Sequence, residues 1–242
     1  MSYQSYERFK ELPWFKGLSN CAVFIGGAGG IGSHLAFMLA RTGANIIIVD
    51  NDTVDKTNLA GQLFGPEEVG LKKVTAVTTV IKKLCDPYFV TPVDEFIDEK
   101  EGGWKQHFGF CDIVCAVFDN IKARKILYDE WVKRFHKESN PPTLFVDARM
   151  SAENGQVFVY TKPMSEDLYK ERFFNDSEVV DQPCTMKATT HCGSLIASLC
   201  VAQITNWCTN LKSDSIISRS LPEVIEFHLP VMYLKTGKEG GT

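Results

Sequence analysis

The chain has 242 residues, with 26 Lys+Arg against 30 Asp+Glu, a formal charge of -4 that offers no basic footprint for nucleic acid. At 44% hydrophobic and 23% charged it has a globular composition, and its apolar runs stop well short of the ~20 residues a bilayer span needs. Met1 to Lys10 is polar and carries no apolar signal region, so a cytoplasmic location is expected.

The first element in chain order is Cys21 to Gly27, a short β-rich apolar run ending in glycines, followed by Ile31 to Arg41 with helical spacing of apolar residues. A second strand, Ala44 to Val49, ends at Asp50. The polar segment Asn51 to Gly70 comes next, a length at which loops tend to carry function, and Lys73 to Leu84 reads as an amphipathic helix. Strands are expected at Phe89 to Phe96, Asp112 to Val117 and Thr143 to Asp147, with a helix at Ile121 to Phe135. That alternation implies a mostly parallel sheet. Beyond Gly155 the pattern changes. "QVFVY" reads as a strand, Met164 to Asp181 as charged and irregular, and Cys192 to Trp207 as a helix apolar nearly all round, hence buried in the core or at an interface. Val224 to Leu229 and Val231 to Lys235 are short strand candidates separated by Pro230.

Eight cysteines carry no C-x-x-C pair. Cys111 and Cys115, placed on one strand, would stand ~13 Å apart and could not share a metal. Free cysteines of this kind read as small buried hydrophobes.

Gly27, Gly29 and Gly32 form G-x-G-x-x-G between the first strand and helix, with Gly26 and Gly30 adding backbone freedom. Such a turn lets a phosphate approach the main chain at a helix N-terminus, and Asp50, 18 residues after Gly32, can bond ribose hydroxyls. By itself this pattern would suit a dinucleotide. An ordered set of further residues points elsewhere: Asp50-x-Asp52, Asn58-Leu59, Gln62, Val69-Gly70, Lys73, then Asp119-Asn120 and Arg124. Together with "GGAGGIG" and "FDNIKAR", this set resembles the adenylating domain of the ubiquitin-activating enzyme superfamily, the ThiF/MoeB/HesA-like group, well over residues 20–160 and loosely beyond.

The resemblance implies an α/β, Rossmann-like three-layer fold with a mostly parallel sheet and additional C-terminal strands. It divides the chain into an N-terminal arm (1–19), an adenylation domain (20–236) with a crossover segment at about 164–190, and a flexible tail (237–242). It implies ATP in the glycine loop and Mg2+ as the metal. The substrate would be a ubiquitin-like or sulfur-carrier protein, or a peptide, with a C-terminal glycine, and the assembly a homodimer. Carried over by position, Asp50 would hold ribose, Asn58 and Lys73 phosphates, and Asp119 magnesium. Asp52, Gln62 and Asn120 would complete the nucleotide contacts. Adenylation develops negative charge at phosphorus, which calls for donors such as Lys73, Asn58 and Gln62 and a hard oxygen ligand such as Asp119.

Blander roles compete with these. Asp119-Asn120 could cap the following helix, Lys73 could be a solvated first-turn lysine, and Arg124, flanked by Lys122 and Lys125, could lie on an exposed helix face. One departure stands out: where the family commonly has arginine in Asn-Leu-x-Arg-Gln, this chain has Gly61. Arg149 in "VDARMS" is the preferred substitute cation, with Arg8 the other candidate. Cys184, in "QPCTMK", resembles the family's thioester-forming cysteine, whose thiolate Lys187 could favour. Alternatives are a nonenzymatic partner subunit, for which Gly61 speaks, and a nicotinamide-dependent dehydrogenase.

Overall fold

The computed structural model describes residues 6–85, 89–100, 102–138, 142–173, 189–211 and 218–238. One eight-stranded sheet organises them: β1 (Ala22–Gly26), β2 (Asn45–Val49), β3 (Val90–Val93), β4 (Ile113–Ala116), β5 (Leu144–Ser151), β6 (Asn154–Tyr160), β7 (Val224–His228) and β8 (Tyr233–Gly237). The spatial order is β3-β2-β1-β4-β5-β6-β7-β8. The first five strands run parallel, and β5 to β8 continue antiparallel through adjacent pairings. This is the expected mostly parallel α/β sheet with extra C-terminal strands.

Strand side chains alternate between two cores, because successive residues point to opposite faces. Val23, Ile25, Ile46, Ile48, Ile113, Cys115, Leu144 and Val146 face one layer, while Phe24, Ile47, Val49, Val114, Ala116 and Phe145 face the other. The first layer is built from α1 (Phe15–Leu18), α2 (Gly32–Arg41), α3 (Lys73–Leu84) and α7 (Thr190–Asn210). The second is built from α4 (Trp104–Phe108), α5 (Ile121–Lys137) and α6 (Glu166–Arg172). Three layers result.

Several expectations change. The described part of the 1–19 segment packs into the first core through Tyr6, Trp14, Phe15 and Leu18, since its aromatic residues have enough apolar surface to cover the end of the sheet. The stretch read as irregular after Met164 contains α6, N-capped by Ser165 and docked by the Tyr169 hydroxyl, which donates to Asp129 at 2.7 Å. Cys111 lies in the turn before β4, its sulfur 3.1 Å from the His107 carbonyl oxygen, and not on the strand with Cys115. α7 is core: Cys192, Ile196, Ala197, Cys200, Ile204 and Cys208 are buried. Gly237, assigned to the tail, is the last residue of β8, and Gly240 and Gly241 lie outside the described residues. Among the described residues, no helix is long and apolar enough to cross a membrane.

Candidate functional site

In a doubly wound sheet, ligands gather where strand order reverses, at the carboxyl ends of the strands. Here that point lies between β1 and β4, and both loops leaving it carry the predicted residues. Gly27 has φ +108°, a conformation side chains rarely adopt, and its N–H donates to the Val49 carbonyl at 2.8 Å. A Cβ on Gly32 would stand 1.8 Å from the Gly27 carbonyl oxygen, so the turn closes only with glycine there. The N–H groups of Gly29, Gly30, Ile31 and Gly32 find no acceptor among the described residues, and no side chain caps α2. Open space surrounds the Cα of Gly29. Unpartnered amides at a helix N-terminus suit an anion.

The rim is acidic and basic together. Asp50 Oδ2 accepts the Ala28 N–H at 2.8 Å, and its Oδ1 accepts the Asp52 N–H at 2.8 Å. Burial pushes the Asp50 carboxyl above the ordinary range, against the Ala28 N–H and the nearby Lys73 charge. Lys73 opens α3, where the helix dipole disfavours a cation, yet it is 8% exposed and donates to Asp52 Oδ2 at 2.7 Å. It is therefore a buried ion-pair partner at the site rather than a solvated first-turn lysine. Backbone bonds from Val54 to Leu71 and from Lys73 to Asp52 pin the two ends of the long polar loop together.

Within that loop, Asn58 Oδ1 accepts the Asp55 N–H at 3.0 Å in a capping box, leaving its Nδ2 as the donor for a ligand. Gln62 Oε1 and His34 Nε2 of α2 are buried with no hydrogen-bond partner among the described residues. The loop is latched to α2 and α7: Leu63 N–H donates to Ser33 Oγ at 3.1 Å, and Thr190 Oγ1 donates to the Ala60 carbonyl. Gly193 of α7 packs so closely on the Gly30 carbonyl that a Cβ there would lie 2.4 Å from it. Sequence reasoning missed Ser33 and His34 of α2, and Gly193, which only the docking of α7 brings to the glycine loop.

Asp119 and Asn120 follow β4. Asn120 Oδ1 accepts the Ala123 N–H at 2.8 Å, so Asn120 caps α5 and fixes its neighbour, while Asp119 stands exposed with no hydrogen-bond partner among the described residues. The preceding residues Val117 and Phe118 pack on Gly27. Arg124 is not on an exposed face. It is 4% exposed and pairs with Asp147, because α5 turns that position toward the end of β5. Arg149 is also committed: Nε and Nη2 donate to Asp147 Oδ2 at 3.0 and 2.6 Å. It therefore does not stand free in place of an arginine at Gly61, and Arg8 is exposed on the N-terminal segment. Asp147 itself was missed, though a carboxylate inside a buried strand was the signal for it.

Cys184 and Lys187 lie outside the described residues. Burial pushes the thiols of Cys111 and Cys200 up to about 12 and that of Cys192 up to about 11, away from nucleophilic range. Beyond Arg149, a cavity of about 260 Å³ opens over the antiparallel strands, lined by Ser151, Asn154, Glu226, His228 and Tyr233 among others.

The ThiF family profile matches residues 7–234. The chain is 34% identical over 113 residues to SUMO-activating enzyme subunit 2 of Dictyostelium discoideum, covering 46% of this chain and 17% of that protein. It is 32% identical over 114 residues to ubiquitin-like modifier-activating enzyme 5 of Aedes aegypti, covering 43% and 29%. It thus spans less than a third of either relative. Among solved structures, E. coli MccB with ATP superposes at a TM-score of 0.71 with 19% identity, covering 100% of this chain and 73% of that one. PaaA superposes at 0.72 with 16% identity, covering 96% and 68%. These likenesses show the fold. With its glycine turn, its Asp50–Lys73 rim and its Asp119 loop in one crevice, and the profile covering nearly its whole length, the chain belongs to the ThiF family.

Proposed function

We propose that this protein adenylates the C-terminal carboxylate of a ubiquitin-like or sulfur-carrier protein, or of a peptide, at the expense of ATP. The observation that carries the reading is the row of four amides at Gly29 to Gly32 without an acceptor among the described residues, with Asp119 on the adjoining loop and the Lys73–Asp52 pair on the rim. Family membership sets the dehydrogenase reading aside.

The carboxylate oxygen of the substrate forms a bond to the α-phosphorus, and the bond to the β-phosphate oxygen breaks, releasing pyrophosphate. The glycine-loop amides, Lys73 Nζ and Asn58 Nδ2 serve as donors to the phosphate oxygens, and Gln62 lies beside them. Asp50, held by the Ala28 and Asp52 amides, accepts from ribose hydroxyls. No group of three protein ligands for a metal exists among the described residues, and Mg2+ suits a site of one carboxylate plus phosphates and waters. Asp119 would be that carboxylate, and the ion it holds would supply positive charge to offset that of the pyrophosphate. The cavity beyond Arg149 is a route for the substrate's tail, and the family resemblance supports a homodimer.

ATP–pyrophosphate exchange with purified protein and candidate carriers tests the proposal. Carrier-dependent exchange is expected. A second reading, a weak or inactive partner subunit, is favoured by Gly61, because Arg149, the preferred substitute for the absent cation, is paired with Asp147. Magnesium-dependent ATP binding without exchange, across carriers, selects it.

Thioester transfer to Cys184 would follow adenylation. Cys184→Ala should then keep pyrophosphate exchange within about twofold while losing a reductant-sensitive conjugate seen on non-reducing gels. If the wild type forms no such conjugate with the carrier that supports exchange, Cys184 has no covalent role.

A further inference from the structure

Two buried charges and one partly buried meet behind the loop that follows β4, and none of them has a part in the chemistry above. Asp147 has a side chain 2% exposed, between Arg124 of α5 at 5% and Arg149 at 17%. Positions two apart on a strand share a face, so Asp147 and Arg149 both turn toward the α5 layer. A buried carboxylate is costly unless opposite charge and hydrogen bonds replace its water. Both do so here. Burial works to raise the Asp147 carboxyl, yet Arg124 and Arg149 together hold it below the ordinary range.

The two guanidiniums divide their remaining donors between different parts of the molecule. Arg124 Nη1 donates to the carbonyls of Ala116 at 3.1 Å and Ala148 at 2.9 Å, and Nη2 donates to that of Phe118. Those bonds hold the backbone from the end of β4 to the residue before Asp119. Arg149 Nη2 donates to the carbonyl of Arg172 at 3.1 Å, at the C-terminal end of α6, where the helix dipole favours a cation. Both Arg149 and Arg172 also lie over the Phe158 ring, at 5.3 and 4.0 Å from its centroid. Removing the charge of Asp147 would leave two guanidiniums repelling each other in a poorly solvated space, and each would pull on its own set of carbonyls.

We infer that Asp147 is a positioning residue that couples the Asp119 loop to the end of α6, one buried carboxylate fixing both through Arg124 and Arg149. The metal part of this inference rests on the adenylation reading, and the structural coupling does not.

The test is Asp147→Asn in the full chain, read two ways. Hydrogen–deuterium exchange should show lost protection both in peptides covering residues 116–120 and in those covering 168–172, with α3 unchanged. In the pyrophosphate exchange assay, the magnesium concentration for half-maximal rate should rise about tenfold, as when a group orienting a metal ligand is removed. Lost protection in only one of the two segments, or an even loss across the chain, overturns the coupling. Protection lost in both with the magnesium requirement unmoved overturns the positioning of Asp119. If Asp147→Asn fails to fold, Arg149→Lys replaces it: the lysine keeps the charge but not the fork, so protection at 168–172 should fall, and wild-type protection there overturns the inference. Wild-type protein that gives no exchange with any carrier counts against adenylation, while hydrogen exchange still decides the coupling.

Discussion

Asp119→Ala should lower ATP–pyrophosphate exchange by ~10² to 10³-fold while leaving the melting temperature and metal-free ATP binding close to wild type. The magnitude is that of losing one group aimed at charge developing in the transition state. The prediction separates chemistry from folding because the Asp119 side chain is exposed and bonds to nothing described, so its removal should change stability by no more than ~0.5 kcal/mol. Asn120 continues to cap α5 in the variant, so the loop keeps its anchor. Titrating magnesium at fixed ATP is the decisive measurement. A variant that exchanges normally across the titration would remove Asp119 from the mechanism, and with it the place proposed for the metal.

Gly32→Ala should abolish nucleotide binding and destabilise the protein, whereas Gly29→Ala should weaken binding with little effect on stability. At Gly32 the added methyl meets backbone, 1.8 Å from the Gly27 carbonyl oxygen and 2.8 Å from its carbon, so no side chain can move aside to admit it. Overpacking of that kind costs about 3 kcal/mol. At ~2 to 4 °C per kcal/mol for a chain of this size, the melting temperature should fall by ~10 °C. At Gly29 no described residue lies within 4 Å of the new Cβ, so the methyl meets no packing but crowds the row of amides proposed to hold the phosphates. Calorimetry with ATP and a thermal melt on both variants check the pair. Full ATP affinity in Gly29→Ala would show that the loop is a packing turn and not an anion cradle, and equal melting temperatures would overturn the backbone clash at Gly32.

Much of the crevice was legible in the chain itself because its signals are local. Gly27, Gly29 and Gly32 answer to backbone geometry within one turn, and Asp50 closes the strand that must lie next to β1 in a βαβ unit. The surroundings of Arg124 and Arg149 were hidden for the opposite reason. On α5, Arg124 has Lys122 and Lys125 as neighbours and reads as solvated, and only the docking of α5 on the end of β5 turns it onto Asp147. Arg149 has the sign wanted at Gly61, but a strand places it two residues from Asp147 on the same face, where the buried carboxylate takes its donors first. Lys73 belongs with Arg124: its solvated alternative falls once the hairpin-like closure of residues 53–72 folds it over Asp52.

The sequence by itself determined the strand–turn–helix that opens the fold, the alternation that makes a parallel sheet, and the family, all of which depend on residues close together in the chain. Tertiary structure alone decided which charges are spent on one another. The latching of the 56–63 loop by Ser33 and Thr190, the seating of α7 on Gly30 and the three-charge cluster at Asp147 join residues as far as 163 positions apart. A charge's role depends on what solvent it loses and which partner arrives in its place, and burial sets both only after the layers have closed.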